Sequence, residues 1–135
     1  MSKSTLADEY AADTMAIVLR LENRWTSVAV KQIFDAADAR QTVVYIPAVV
    51  FAEILYLSEK NRISMTLADV GKHLRKFPAY RETPLSFEIV EHAEQIKDVP
   101  ELHDRLIAAT ASFLNVKLIT NDPKIENSAF VKTVW

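Results

Sequence analysis

The sequence predicts an α/β fold in which a parallel sheet is covered by helices. Short β-branched or aromatic runs alternate with stretches whose apolar residues recur at helical spacing, the pattern of a parallel sheet. Half of the 135 residues are hydrophobic and a quarter are charged, enough to build one real core. There is no internal repeat, low-complexity segment or Pro/Gly/Ser linker, so residues 1–135 are expected to form a single domain, with residues 1–8 a flexible tail.

Tyr10-Ala11-Ala12 reads as a short strand ending at Asp13-Thr14, with a helix from Met15 to Leu19. Two alanines make it a weak strand by propensity. From Thr26 to Arg40, Val30, Ile33, Phe34 and Ala37 fall at i, i+3, i+4, i+7, which predicts a helix with Lys31, Asp35 and Asp38 outward and Thr26 or Ser27 as its cap. Val43 to Ile46 is β-branched and aromatic, hence a strand. Pro47 suits the first turn of the helix that follows through Glu53 to about Glu59. Leu67, Val70, Leu74 and Phe77 mark a helix ending before Pro78. Ser86 opens another, with Ile89, Val90, Ala93 and Ile96 inside and Glu88, Glu91 and Glu94 outside. Pro100-Glu101 starts the next, with Leu102, Leu106, Ala109, Thr110 and Phe113 inward. Val116 to Thr120 and Val131 to Val134 read as the last two strands.

Composition removes several kinds of chemistry. Without cysteine there is no disulfide, thiolate zinc site or cysteine nucleophile. The single glycine, Gly71, excludes a phosphate-cradling P-loop, a dinucleotide fingerprint and a hydrolase nucleophile elbow, all of which need several. No apolar run reaches bilayer length, and the opening MSKSTLADE is polar, so the expectation is a cytoplasmic protein without membrane contact. A net charge of −2 is not the footprint of a strong nucleic-acid binder, so any such contact would use a local patch.

What remains is chemistry by carboxylates, and four stand out. Glu53 interrupts the apolar run I46-P-A-V-V-F-A-E-I-L-Y-L57. A carboxylate in such a place neutralises, finds a partner or binds a metal. Asp13 and Asp122 each follow a predicted strand, and Asp104 lies in the first turn of a late helix. In parallel sheets the binding site lies beyond the carboxyl ends of the strands, so this topology allows the four to meet. Converging acids repel unless a cation sits among them, and oxygen-only ligation favours Mg²⁺ or Mn²⁺. Such ions activate water and clamp phosphate oxygens in phosphodiester hydrolysis.

The order Asp13-Thr14 after a short strand, Glu53 in an apolar helix, Asp104 in H103-D-R-L-I-A-A-T-A111 and Asp122 in L118-I-T-N-D122 resembles the PIN domain, and the compact length resembles the VapC-type toxin ribonucleases. The resemblance covers roughly residues 9 to 134. It implies a three-layer α/β/α sandwich with a mainly parallel sheet, and a metal-dependent endoribonuclease that leaves a 5′-phosphate and a 3′-hydroxyl. Its implied partners are an RNA substrate, a small cognate antitoxin that covers or distorts the site, and a second copy in a homodimer. Carried over by position, Asp13, Glu53, Asp104 and Asp122 form the acidic catalytic quartet. Asp13 and Asp104 would be the main metal ligands, Glu53 and Asp122 would complete the cluster, and Thr14 or Thr120 would add a supporting hydroxyl. Asn115 and Asn127 stand in turns that often carry glycine.

Each feature also has a plainer reading. Glu53 could be a half-exposed helix residue or the partner of a buried arginine. Asp13 and Asp104 could serve only their helix starts, and Asp122 before Pro123 could be an ordinary turn. Glu101 either joins the acids or only starts its helix; the second is favoured. His103 reads as solvated or substrate-touching, and His73 and His92 as outward and idle. Arg105 could pair with a neighbouring acid. Lys60, Arg62, Lys72, Arg75, Lys76 and Arg81 could track an RNA backbone or form a solvated face. Trp25 and Trp135 read as packing residues, although an exposed tryptophan would suit a protein interface. The alternative functions are a catalytically silent PIN-like module that binds RNA or protein and, further behind, a receiver-like domain. The latter would want a phosphorylatable aspartate where the middle strand ends at Pro47.

Overall fold

The computed structural model describes residues 8–135. The expected tail lies outside the described residues save for Asp8, whose carbonyl accepts a hydrogen bond from the Thr42 hydroxyl.

The sheet is five-stranded and parallel at every pairing. Its centre is β1 (Tyr10–Ala12), flanked by β2 (Val44–Pro47) and β4 (Lys117–Ile119). β3 (Tyr80–Thr83) lies outside β2 and β5 (Thr133–Val134) outside β4, giving the order β3-β2-β1-β4-β5. The helices are α1 (Thr14–Leu21), α2 (Val28–Asp38), α3 (Ala48–Glu59), α4 (Leu67–Lys76), α5 (Phe87–Glu94), α6 (Leu102–Leu114) and α7 (Pro123–Glu126). None among the described residues is long and apolar enough to cross a membrane.

β1 is built from poor strand formers because it sits where helices press closest. Ala11 and Ala12 are fully buried, as are Ala108, Ala109 and Ala111 on α6, which packs on β1 and β4. Small side chains on both elements let helix and sheet approach, and burial outweighs propensity.

Local chemistry sets the helix ends. Ser27 caps α2 by accepting from Val30 N at 3.1 Å, and Ser86 caps α5 through Ile89 N at 3.2 Å. Thr66 and Asp69 form a capping box at α4. α6 ends at Asn115 in the left-handed conformation, φ 57°. Asn127 is right-handed instead, φ −84°, and the other left-handed positions are Asn23, Arg40 and Asn61.

Several expectations need correcting. β3 and the short α7 were not foreseen. Pro47 ends β2 and precedes α3 rather than sitting in its first turn. Val90, Leu102 and Phe113 are 45%, 62% and 42% exposed rather than inward, whereas Ile107, Ala108 and Ala111 are buried. Asp38 is not a solvated residue: it accepts from Arg20 at 2.7 Å and from the Tyr80 hydroxyl at 2.8 Å. Trp25 is 78% exposed, while Trp135 packs on the core. His73 lies against the rings of Phe77 and Tyr80, and its buried Nε2 has no hydrogen-bond partner among the described residues. His92 contacts the Ser112 hydroxyl at 2.9 Å.

Candidate active site

The elements carry all four acids to one pocket. Asp13 leaves the end of β1, Asp122 follows β4, Glu53 comes from α3 directly after β2, and Asp104 from the first turn of α6. Together with Thr14, Met15, Leu57, Ile107 and Asn121 they line a cavity of ≈ 200 Å³ at the carboxyl ends of the strands. Sequence alone could not show this meeting, since Glu53 and Asp104 reach the pocket from different helices.

Asp13 is the most deeply set. It is 8% exposed and caps α1, accepting from Ala16 N at 2.8 Å. Burial raises its pKa to about 6; hydrogen bonds from Thr120 and Ala16 pull it down, and the charges of Asp122 and Asp104 push it up. Asp104 is also raised to about 6, by burial first and then by the charges of Glu101, Asp122 and Glu53, with Lys124 opposing. The acids therefore feel one another as like charges.

Hydroxyls support the acids from below. Thr14 donates to Glu53 Oε1. The fully buried Thr120 donates to Asp13 and accepts from Asp122 N at 3.1 Å. Both threonines weighed for one supporting role are thus used, each on a different acid. Glu101 caps α6 through Asp104 N at 2.8 Å, the favoured reading, although its charge also reaches Asp104. Asp122 caps α7 through Lys124 N at 3.0 Å. Capping and pocket lining coexist in Asp13 and Asp122.

Other readings are corrected. Among the described residues Arg105 binds no acid; its Nε donates to Ala93 O at 2.8 Å and its guanidinium to Glu94 O at 3.2 Å, tying α6 to the last carbonyls of α5. None of the six middle-third cations lines the acidic pocket. Arg81, with Arg40, lines a cavity before the first residues of β1, β2 and β3, at the opposite end of the sheet. A cation whose charge does reach Asp104 is Lys124, on the unforeseen α7. His103 is not merely solvated: its Nδ1 stands 3.3 Å from Glu53 Oε2. The signal for it was its place beside Asp104, but its partner comes from another helix.

Among the described residues, no three His, Asp or Glu side chains already stand in a geometry that could hold an ion. The four acids ring the pocket rather than close on one point. The donor set nevertheless fits a hard divalent cation: four carboxylates, no sulfur, and burial that makes an uncompensated charge costly. Beside the pocket, and sharing Glu53 and Leu57 with it, lies an apolar cleft of ≈ 520 Å³ whose walls include Tyr56, Leu85, Leu102 and Leu106.

Comparison with known proteins agrees with this architecture. A model of the PIN domain matches residues 10–131. No curated protein sequence matches the chain. The structure is similar to a chain of VapBC2 from Rickettsia felis bound to a DNA fragment from their promoter, with TM-score 0.73 and 16% identity, covering 94% of this chain and 98% of that one. It is similar to a chain of DNA-bound VapBC from Salmonella typhimurium, with TM-score 0.69 and 17% identity, covering 95% and 98%. FitAcB from Neisseria gonorrhoeae gives TM-score 0.66 and 20% identity, covering 93% and 96%.

Proposed function

The chain belongs to the PIN domain family, and from that premise we propose that it is an Mg²⁺- or Mn²⁺-dependent endoribonuclease, the toxin of a type II toxin–antitoxin pair. The observation that carries the reading is the gathering of Asp13, Glu53, Asp104 and Asp122 around one pocket at the carboxyl ends of the strands. A bound divalent ion would supply an activated water and neutralise phosphate oxygens. Asp13 and Asp104 would be its principal ligands, with Glu53 and Asp122 completing the ring. Thr14 and Thr120 hold two of the carboxylates in place. An RNA phosphate would approach only once the ion has reversed the local charge.

A small antitoxin is the proposed protein partner, and the cytoplasm the proposed compartment. The apolar cleft that shares Glu53 with the acidic pocket supports a partner able to cover the site. Exposed Tyr56, Phe87 and Leu102 support a homodimer as well.

The test is cleavage of total RNA by antitoxin-free protein in Mg²⁺ or Mn²⁺, in EDTA, and with Asp104→Asn. The expected result is discrete, metal-dependent products that vanish in the variant. Equal cutting by both preparations would refute the assignment. Mn²⁺ binding that is lost in the variant, with no cutting by the wild type, would favour the catalytically silent module.

A further inference from the structure

We infer that His103 is a positioning residue that, with Thr14, clamps Glu53 from two sides. The inference rests on the metal-centre reading above and names a residue that the acidic motif does not contain.

Glu53 is the one acid of the four that is not at a strand end or a helix start. It projects from the second turn of α3, in a helix whose own sequence offers it no cation. Its orientation therefore has to come from other elements. Thr14, the first residue of α1, donates to Oε1. His103, in the first turn of α6, faces Oε2 with Nδ1 at 3.3 Å. The two contacts approach different oxygens and come from different helices, so together they restrict how the carboxylate can turn. Each carboxylate oxygen keeps lone pairs to spare, so the clamp leaves Glu53 able to accept from water or reach an ion.

The clamp also predicts a tautomer for the ring. A neutral imidazole has one N–H, and a carboxylate facing Nδ1 favours the proton there. The side chain of Glu53 is 26% exposed, so it is partly free to turn unless held. An acid left to turn loses the pre-arranged geometry on which ion affinity depends, and residues that orient a metal site in this way typically change affinity by about 10–100-fold.

Two measurements on the full-length protein test the clamp. The first is the imidazole ¹⁵N spectrum of metal-free protein at about pH 8, with His103→Leu identifying the signal. The expected result is a proton on Nδ1 that shifts toward Nε2 in Glu53→Met, which keeps the volume and removes the acceptor. A proton on Nε2 in the wild type, or a spectrum indifferent to Glu53→Met, would overturn the inference.

The second is Mn²⁺ affinity by calorimetry. His103→Leu should bind roughly 10-fold more weakly. His103→Asn should recover most of that loss, because its amide N–H occupies the place of Nδ1. In a Glu53→Met background, His103→Leu should cost nothing further. Wild-type affinity in His103→Leu, or the same loss with and without Glu53, would overturn the positioning role. If the wild type takes up no Mn²⁺ at all, the metal-centre reading fails, and the nitrogen spectrum alone decides whether the clamp exists.

Discussion

Asp13 serves α1 as its cap and the pocket as its deepest charge, and these duties have opposite energetic signs. The cap is favourable, since the carboxylate accepts from Ala16 N at 2.8 Å. The buried charge is not, and the pKa rises from the ordinary 3.8 to about 6. A raised carboxylate pKa means the folded state binds the proton more tightly than the unfolded chain does. Its cost is therefore absent below about pH 4, grows as pH rises through 3.8 to about 6, and is complete above. The shift corresponds to an upper bound of about 3 kcal/mol. Asp13→Asn keeps an acceptor for the cap and removes the charge. It should melt higher than the wild type in EDTA at pH 7.5, with the difference closing toward pH 4, while losing metal-dependent RNA cleavage. Equal melting points across that range would show that Asp13 carries no buried-charge cost. The acids could be read in the sequence because residue type and order carry their chemistry. His103 could not, because its role lies in a contact with Glu53 fifty positions away in the chain.

At the scale of elements, β3 shows why one strand went unread. Its sequence, Tyr80-Arg81-Glu82-Thr83, has two charges and no apolar alternation, because it is an edge strand with only Tyr80 buried. Beyond its ladder with β2, one side chain anchors it. The Tyr80 ring stacks on Phe34 of α2 at 6.1 Å, and its hydroxyl donates to Asp38 at 2.8 Å. Asp38 in turn accepts from Arg20 of α1 at 2.7 Å, so one polar chain joins α1, α2 and β3. Burial, followed by the hydrogen bond to Asp38, raises the Tyr80 pKa far above the ordinary tyrosine range, consistent with a hydroxyl that stays a donor at every working pH. Tyr80→Phe should cost about 1–2 kcal/mol, since it strips Asp38 of a donor in a half-buried place. A urea midpoint that falls at unchanged slope would agree; an unchanged midpoint would mean solvent replaces the hydroxyl without loss. Periodicity did reveal α2 and α5, whose buried residues recur at helical spacing, and α4, where Leu74 and Phe77 pack partly buried beside the buried Val70. It misjudged α6, where Ile107, Ala108 and Ala111 are also buried because the helix packs on α3, α5, β1 and β4 at once.

For the whole molecule, the parallel sheet puts every strand's carboxyl end on one side, and that arrangement concentrates the acids. The alternation of strands and helices made this class legible, but the order β3-β2-β1-β4-β5 was not, because neighbour choice depends on packing across the chain. Concentrated acids tie folding, protons and ion binding together. Asp13 and Asp104 both have pKa values of about 6, so a divalent ion bound there as proposed would have to displace protons from them below that pH. Mn²⁺ affinity should accordingly be nearly flat above about pH 7 and fall below about pH 6. With two protons displaced, the limiting slope is about a hundredfold per pH unit. The same linkage predicts that ion at about 100 times its dissociation constant stabilises the wild type by about 2.7 kcal/mol at pH 7.5, and by much less at pH 5. Asp104→Asn should shrink both effects, because one proton site and one ligand vanish together. Calorimetric titrations and thermal melts at the two pH values measure the two sides of this linkage independently. An affinity that does not change from pH 7.5 to pH 5 would mean that the ion is held elsewhere than by Asp13 and Asp104.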